Sequence, residues 1–291
     1  ILEETELDGQ TLNVLKPSAP GSAVIHADED FKQGESIFPP GQRLRAQDLG
    51  ALLALGITRV EVLLQPHVAI LSTGDELIPP EQTPTPGQVR DINTYTTAAQ
   101  LHALGMLPIP FGIVPDQRQQ LTDATTQALA ECDAVLISGG SSVGVRDVTV
   151  EILDQLGEVL VHGIRIAPGK PTIFACCGDK PVFGLPGNPV SSIVVFEKFV
   201  APVLLKRSGA ANLHQSRPQV QARLTKNIPS ARGRDDFVRV RLIQQDSHTL
   251  VEPIRAHSNN ISSLSNADGV LSIPADVEGY GQDEWVIVEL W

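Results

Sequence analysis

Apolar positions along the chain change their period twice. From residue 67 to about 206, short apolar runs at 68–73, 107–114 and 134–137 alternate with helix-like stretches at 93–104, 116–131 and 148–156. Strands near 159–161 and 172–176 follow, and then a helix over 190–207. Apolar strands without polar alternation, separated by helices, predict a mixed, mostly parallel sheet covered on both faces. Before this stretch the signal is weaker. Strands are expected at 11–15, 23–26 and 60–62, with a short helix over 47–55 stopped by Gly56. After Gly209 the period becomes two, at 219–224, 237–242 and 284–290, which predicts a small all-β domain. The expected division is therefore 1–66 as a partial N-terminal β and linker region, 67–215 as an α/β domain, and 216–291 as a C-terminal β domain.

Composition narrows the partners. A net charge of −12 over 291 residues leaves no broad basic surface of the kind that holds nucleic acid. The longest apolar stretch, 190–205, is interrupted by Glu197, Lys198 and Pro202, so no membrane span is expected, and no secretory signal is visible. Cys132, Cys176 and Cys177 lack metal-ligand spacing and read as small buried hydrophobes in a reducing, cytoplasmic setting. Because the chain opens with Ile1 and its single methionine is Met106, the sequence reads as a fragment or processed product.

Candidate chemistry gathers at predicted strand ends, where parallel sheets take their ligands. Two Gly- and Ser-rich loops, 138–144 and 184–191, each leave an apolar strand and enter a helix. Glycines let backbone N–H groups approach an anion, and the following helix adds partial positive charge. Gly139, Gly140, Ser141, Ser142 and Gly144 in the first loop, with Pro186, Gly187, Asn188, Pro189 and Ser191 in the second, form a double cradle for a phosphorylated ligand. Asn188 suits a turn, and equally an amide that reads a heterocycle edge. Lys170, in the stiff turn Pro168-Gly169-Lys170-Pro171, is a phosphate contact or a solvated turn lysine, and Arg146 and Arg165 are further anion contacts or solvated cations. Glu76, Asp116 and Asp147 also fall at strand ends. Taken singly, Asp116 and Asp147 suit helix N-caps; taken together, the three carboxylates suit Mg2+ held against phosphate. The histidines show no zinc or triad spacing, and the loop serines lack an evident base, so they read as hydrogen-bond donors.

The ordered set Ser72-Thr73-Gly74-Asp75-Glu76-Leu77, Asp91-Ile92-Asn93, 138–144 with Asp147, 168–171 and 185–191 resembles the molybdopterin molybdenumtransferases, the MoeA and gephyrin E-domain family. The resemblance runs from about residue 23 to the end. It implies a molybdopterin-binding α/β domain, a C-terminal β domain, and remnants of an elongated β and linker region. It also implies a homodimer that takes molybdopterin-adenylate and molybdate, hydrolyses the adenylate to release AMP and inserts molybdenum, with Mg2+ or a similar divalent ion. Glu76, Asp116 and Asp147 fall at its metal and hydrolysis positions. Gly139, Gly140, Ser141, Ser142, Lys170 and 186–191 fall at its pterin-holding ones. Where the family carries lysines, this chain has Ala167 and Gly163, with Arg165 nearby as a substitute charge; Ser141 replaces a common valine. Asp28-Glu29-Asp30 replaces a Gly-Glu-Asp element, and the family's upstream Thr-Gly-Ala and Gly-Ala-Asp motifs find no match. Two other readings remain open, a non-catalytic molybdopterin-binding module and a nucleotide-processing hydrolase sharing only the α/β domain.

Overall fold

The computed structural model describes residues 2–22, 24–139, 143–213, 217–245 and 248–291, with the backbone alone for 143–147. Two compact units form, Ile1–Arg43 and Leu44–Trp291. In the first, a 3-10 turn at Leu2–Glu4 leads into an antiparallel hairpin of β1 (Thr5–Asp8) and β2 (Thr11–Val14). The strand expected at 23–26 is absent from its described residues. The His26 N–H instead donates to the Glu29 carboxylate at 2.8 Å, and the His26 carbonyl accepts from the Glu29 N–H, so local turn bonds take the groups a ladder would need.

The second unit opens with α1 (Ala46–Ala54), where the Arg45 N–H donates to the Asp48 carboxylate at 2.8 Å. Residues 57–66 then run without secondary structure, and the strand expected at 60–62 does not form. Val60, Val62, Leu63 and Leu64 are exposed, with no neighbouring strand to complete a ladder among the described residues. Propensity without a partner does not make a strand.

The central sheet uses β3 (His67–Thr73), β6 (Leu107–Val114), β7 (Ala134–Gly139), β8 (Glu158–His162), β10 (Ile173–Cys177) and β11 (Lys180–Pro186), in the order β6-β3-β7-β11-β10-β8. The first four are parallel, and β10 and β8 continue antiparallel. A small parallel pair, β4 (Leu77–Ile78) and β5 (Val89–Arg90), lies in the loop after β3. Successive side chains leave a strand on opposite faces. Val68 and Ile70 of β3, Leu136 of β7 and Phe183 of β11 therefore join one core, under α2 (Asn93–Leu104) and the helical stretch 189–207. Ala69, Leu71, Val135 and Val182 join the other, under α3 (Arg118–Glu131) and α4 (Val143–Leu156). The edge strand β6 tolerates Pro108 and Pro110 because Leu107 donates toward β3, at 2.9 Å to the Pro66 carbonyl, which turns the two prolines outward.

The helix expected over 190–207 is α5 (Pro189–Val195), a π-helical segment (Phe196–Val200) and α6 (Ala201–Arg207). Pro202 lacks an N–H and crowds the carbonyl four residues back, so the wider turn falls just ahead of it. Beyond it, β12 (Gln219–Leu224), β14 (Asp235–Gln245), β15 (His248–Pro253), β16 (Gly269–Ile273) and β18 (Trp285–Leu290) close into a barrel, because β15 pairs with both β12 and β14. Its core holds Ala222, Leu224, Val240, Val251, Leu271 and Val288. A short pair, β13 (Ile228–Pro229) with β17 (Gly279–Tyr280), and the turn α7 (Ser262–Ser265) complete it. One strand crosses over: β9 (Ile166–Ala167), from the connection between β8 and β10, pairs in parallel with β14.

Phe183 is fully buried and stacks on Phe174 with ring centroids 4.9 Å apart, while Phe199 meets it edge-on. Phe183→Ala removes the centre of that cluster. Urea denaturation is expected to show a loss of about 3–5 kcal/mol with little change in slope.

Candidate functional site

A cavity of about 580 Å³ lies at the carboxyl ends of β7 and β11. Its floor comes from Ile137, Gly139, Ile173 and 184–187, and one wall is the connection 164–171. The opposite wall comes from the barrel, through 231–234 and Ser258. Of the residues singled out in the sequence, Gly139, Arg165, Lys170, Pro186, Gly187, Asn188 and Ser191 line it. Pro189 begins α5 beside it, and Gly144 lies in the first turn of α4. Gly140, Ser141 and Ser142 lie outside the described residues.

Two glycines are fixed by geometry. Gly139 has φ of 151°, and a Cβ there would fall 2.0 Å from the Thr73 carbonyl oxygen, so only glycine lets β7 end this close to β3. Gly169 has φ of 127° and is packed against Val195 and Ile166, which holds the turn bearing Lys170 against the helix. That turn is closed from below. Ile164 N–H donates to the Lys170 carbonyl at 2.9 Å, and the Thr172 hydroxyl to the Gly169 carbonyl at 2.8 Å.

Charge on the rim is positive within an acidic chain. Lys170 and Arg165 are exposed, and among the described residues their side chains make no hydrogen bond or ion pair. Arg234 pairs with Asp236 at 2.7 Å, and Arg232 with Glu278 at 3.1 Å. The two arginines were not singled out from the sequence. The signal was present in Arg232-Gly233-Arg234 just before an alternating strand, but nothing local tells which other element that strand faces. Thr149 and Ser258 were missed for the same reason, and Thr73 was read only as part of the motif 72–77. Asn188 gives its amide to the Ser258 hydroxyl at 3.0 Å, and the Val190 N–H bonds the Ser258 carbonyl at 3.1 Å. Both bonds fasten the second loop to the barrel.

The carboxylates sit on loops following adjacent strands. Asp116 follows β6 and Glu76 follows β3. Asp116 is not the N-cap of α3, a place held by Gln117. Its Oδ1 accepts the buried Thr73 hydroxyl at 2.5 Å, and its N–H donates to the Asp75 carboxylate at 3.1 Å. A hydroxyl already buried in the strand end outcompetes the helix amides for that oxygen. Thr73 also lines the cavity, so Asp116 is one residue removed from its wall. Asp147 falls in the second turn of α4, past the capping position, and its side chain lies outside the described residues. Among the described residues no three His, Cys, Asp or Glu side chains form a metal-binding group. Asp116 Oδ2 and the Glu76 carboxylate each lack a partner among those residues, and carboxylate oxygens are the ligand type that a hard divalent ion takes.

The cysteines form no disulfide. Burial pushes the Cys132 and Cys177 thiols up, which keeps them protonated and out of nucleophilic chemistry. No helix among the described residues is long and apolar enough to cross a membrane.

Comparison with known proteins joins these features. A family described as "Probable molybdopterin binding domain" matches residues 69–206, and one described as "MoeA C-terminal region (domain IV)" matches 221–291. A Methanocaldococcus jannaschii protein, assigned by name to molybdopterin biosynthesis, is 38% identical over 288 residues, covering 96% of this chain and 68% of its own. The molybdopterin molybdenumtransferase of Haemophilus influenzae is 36% identical over 229 residues, or 79% of this chain and 56% of its own. A crystal structure of the Pyrococcus horikoshii MoeA protein of molybdopterin biosynthesis superposes with a TM-score of 0.79 at 36% identity, over 99% of this chain and 70% of its own. The chain thus spans between about half and seven tenths of the length of such relatives. Two matched domains in order, and similarity along nearly the whole sequence, place the chain in the MoeA family, the molybdopterin molybdenumtransferases of molybdenum cofactor biosynthesis.

Proposed function

We propose that this chain carries the insertion of molybdenum into adenylylated molybdopterin with release of AMP, acting as a cytoplasmic homodimer. The observation that carries the reading is the cavity itself. It is framed by backbone loops at a parallel sheet's carboxyl edge, and Lys170 and Arg165 stand on its rim with no side-chain partner among the described residues, in a chain of net charge −12. Rim cations beside such loops favour a phosphorylated ligand and then molybdate, itself a dianion.

In this reading Glu76, Asp116 and Asp147 would hold Mg2+ or a similar divalent ion, whose charge would neutralise the phosphoanhydride oxygens. Lys170 and Arg165 hold the phosphate in place, and Asn188, braced by Ser258, keeps the second loop from shifting as the ligand enters. Asp116, oriented by Thr73 through Oδ1, keeps Oδ2 to take the proton of the water that attacks phosphorus. The phosphorus–oxygen bond of the adenylate breaks, and AMP leaves. Exposed Leu49, Leu53, Val60, Val62, Leu63 and Leu64 favour a partner surface of this unit, as a homodimer requires.

A second reading, a molybdopterin-binding module without turnover, is favoured by Ala167. This position carries no charge and is committed to pairing with Asp236. Calorimetry with molybdopterin-adenylate followed by AMP-release assays with molybdate separates the two.

Lys170→Ala is expected to weaken molybdopterin-adenylate binding by about 10- to 100-fold in calorimetry, with an unchanged melting temperature. Wild-type affinity in that variant would remove Lys170 from the site. Asp116→Asn keeps the acceptor for Thr73 but not the base. AMP release should fall by about 100-fold or more while binding persists; undiminished release would rule out its catalytic role.

A further inference from the structure

Asn93 begins α2 directly beneath the two ligand loops and is 7% exposed. Its Nδ2 donates to the Ser138 hydroxyl at 2.8 Å and to the Gly187 carbonyl at 2.9 Å. The carbonyl can only accept, so the atom facing it is the amide nitrogen, and both of its hydrogens are used. Ser138 precedes Gly139 at the end of β7, and Gly187 follows the end of β11. One side chain therefore joins the roots of both loops across the parallel pair.

Helix capping does not account for this residue. Asp91 already serves the start of α2, accepting from the Thr94 N–H at 3.2 Å and the Thr94 hydroxyl at 2.6 Å; Thr94 in turn meets Ser72 at 2.9 Å. Asn93 Oδ1, moreover, is buried without a partner among the described residues. An unpaired buried acceptor is a cost to stability, which a residue present only to stabilise the helix would not carry.

We infer that Asn93 is a positioning residue, setting the spacing of the two loops that receive the molybdopterin phosphate before the ligand arrives. The inference rests on the molybdopterin reading for its ligand, and on the two amide bonds for its geometry. A loop pair held in its bound spacing loses less freedom on binding, so the effect appears in affinity rather than in fold.

The test compares Asn93→Asp with Thr94→Val in the full chain. Asn93→Asp keeps the shape but sets a carboxylate oxygen against the Gly187 carbonyl. Thr94→Val weakens the same helix start and touches neither loop. Calorimetry with molybdopterin should show binding weaker by about tenfold or more in Asn93→Asp and wild-type affinity in Thr94→Val. Hydrogen exchange on the ligand-free proteins should show faster amides across 187–191 only in the first variant, with the β3 amides unchanged in both. Equal affinities and equal loop exchange in the two variants would overturn the inference. Should Asn93→Asp fail to fold, Asn93→Ser removes the bridge without burying a charge and is held to the same outcomes. Failure of the wild type to bind molybdopterin would sink the functional reading alone, and loop exchange would then decide the role of Asn93.

Discussion

The two-residue pairing of β9 with β14 is what gives the cavity two walls. Ile166 and Ala167 lie against Asp235 and Asp236, and the Asp235 N–H donates to the Arg165 carbonyl at 2.9 Å. The connection that carries Lys170 leaves one sheet, lends a strand to the other and returns. The loop bearing Arg232 and Arg234 enters β14 at the same point, which sets barrel arginines opposite a lysine of the α/β domain. Further ties run alongside, from Asn188 and Val190 to Ser258, and from Lys198 to Glu289 at 2.9 Å. The cavity belongs to neither sheet alone.

Electrostatics and backbone geometry share the work at this edge. A chain of net charge −12 repels anions at long range. Attraction must therefore be local, from cations with no partner among the described residues and from amides brought close to the ligand. Gly139 allows that approach on one side, and the 184–188 segment supplies it on the other. Barrel arginines already paired with Glu278 and Asp236 contribute less free charge than Lys170, but their pairing fixes where they point.

Much of the fold was legible because each signal was local. The apolar run of β3, the helix from Asn93 to Leu104 ended by a left-handed Gly105, and the alternation of β12 and β18 all declare themselves within a few residues. Failures arise where the bonding partner, near or far, is not announced by the local apolar pattern. The segment at 60–62 has strand propensity and no neighbouring strand among the described residues, and His26 spends its backbone groups on a turn with Glu29. Asp116 was readable as a cap because the competing hydroxyl of Thr73 lies 43 residues away. The cradle residues were visible as Gly-rich punctuation, whereas Arg232, Arg234 and Ser258 became visible only once β9 had joined the barrel.

Pro108 and Pro110 on the outermost parallel strand have a consequence beyond being tolerated there. Parallel sheets lengthen by adding strands to an open margin, and such a margin invites foreign chains as readily as native ones. Here an incoming backbone would find ring carbons at two successive places where it needs amide hydrogens. The sheet's terminus is thus written into the strand itself, and this flank can stay bare to water without becoming a seed for aggregation.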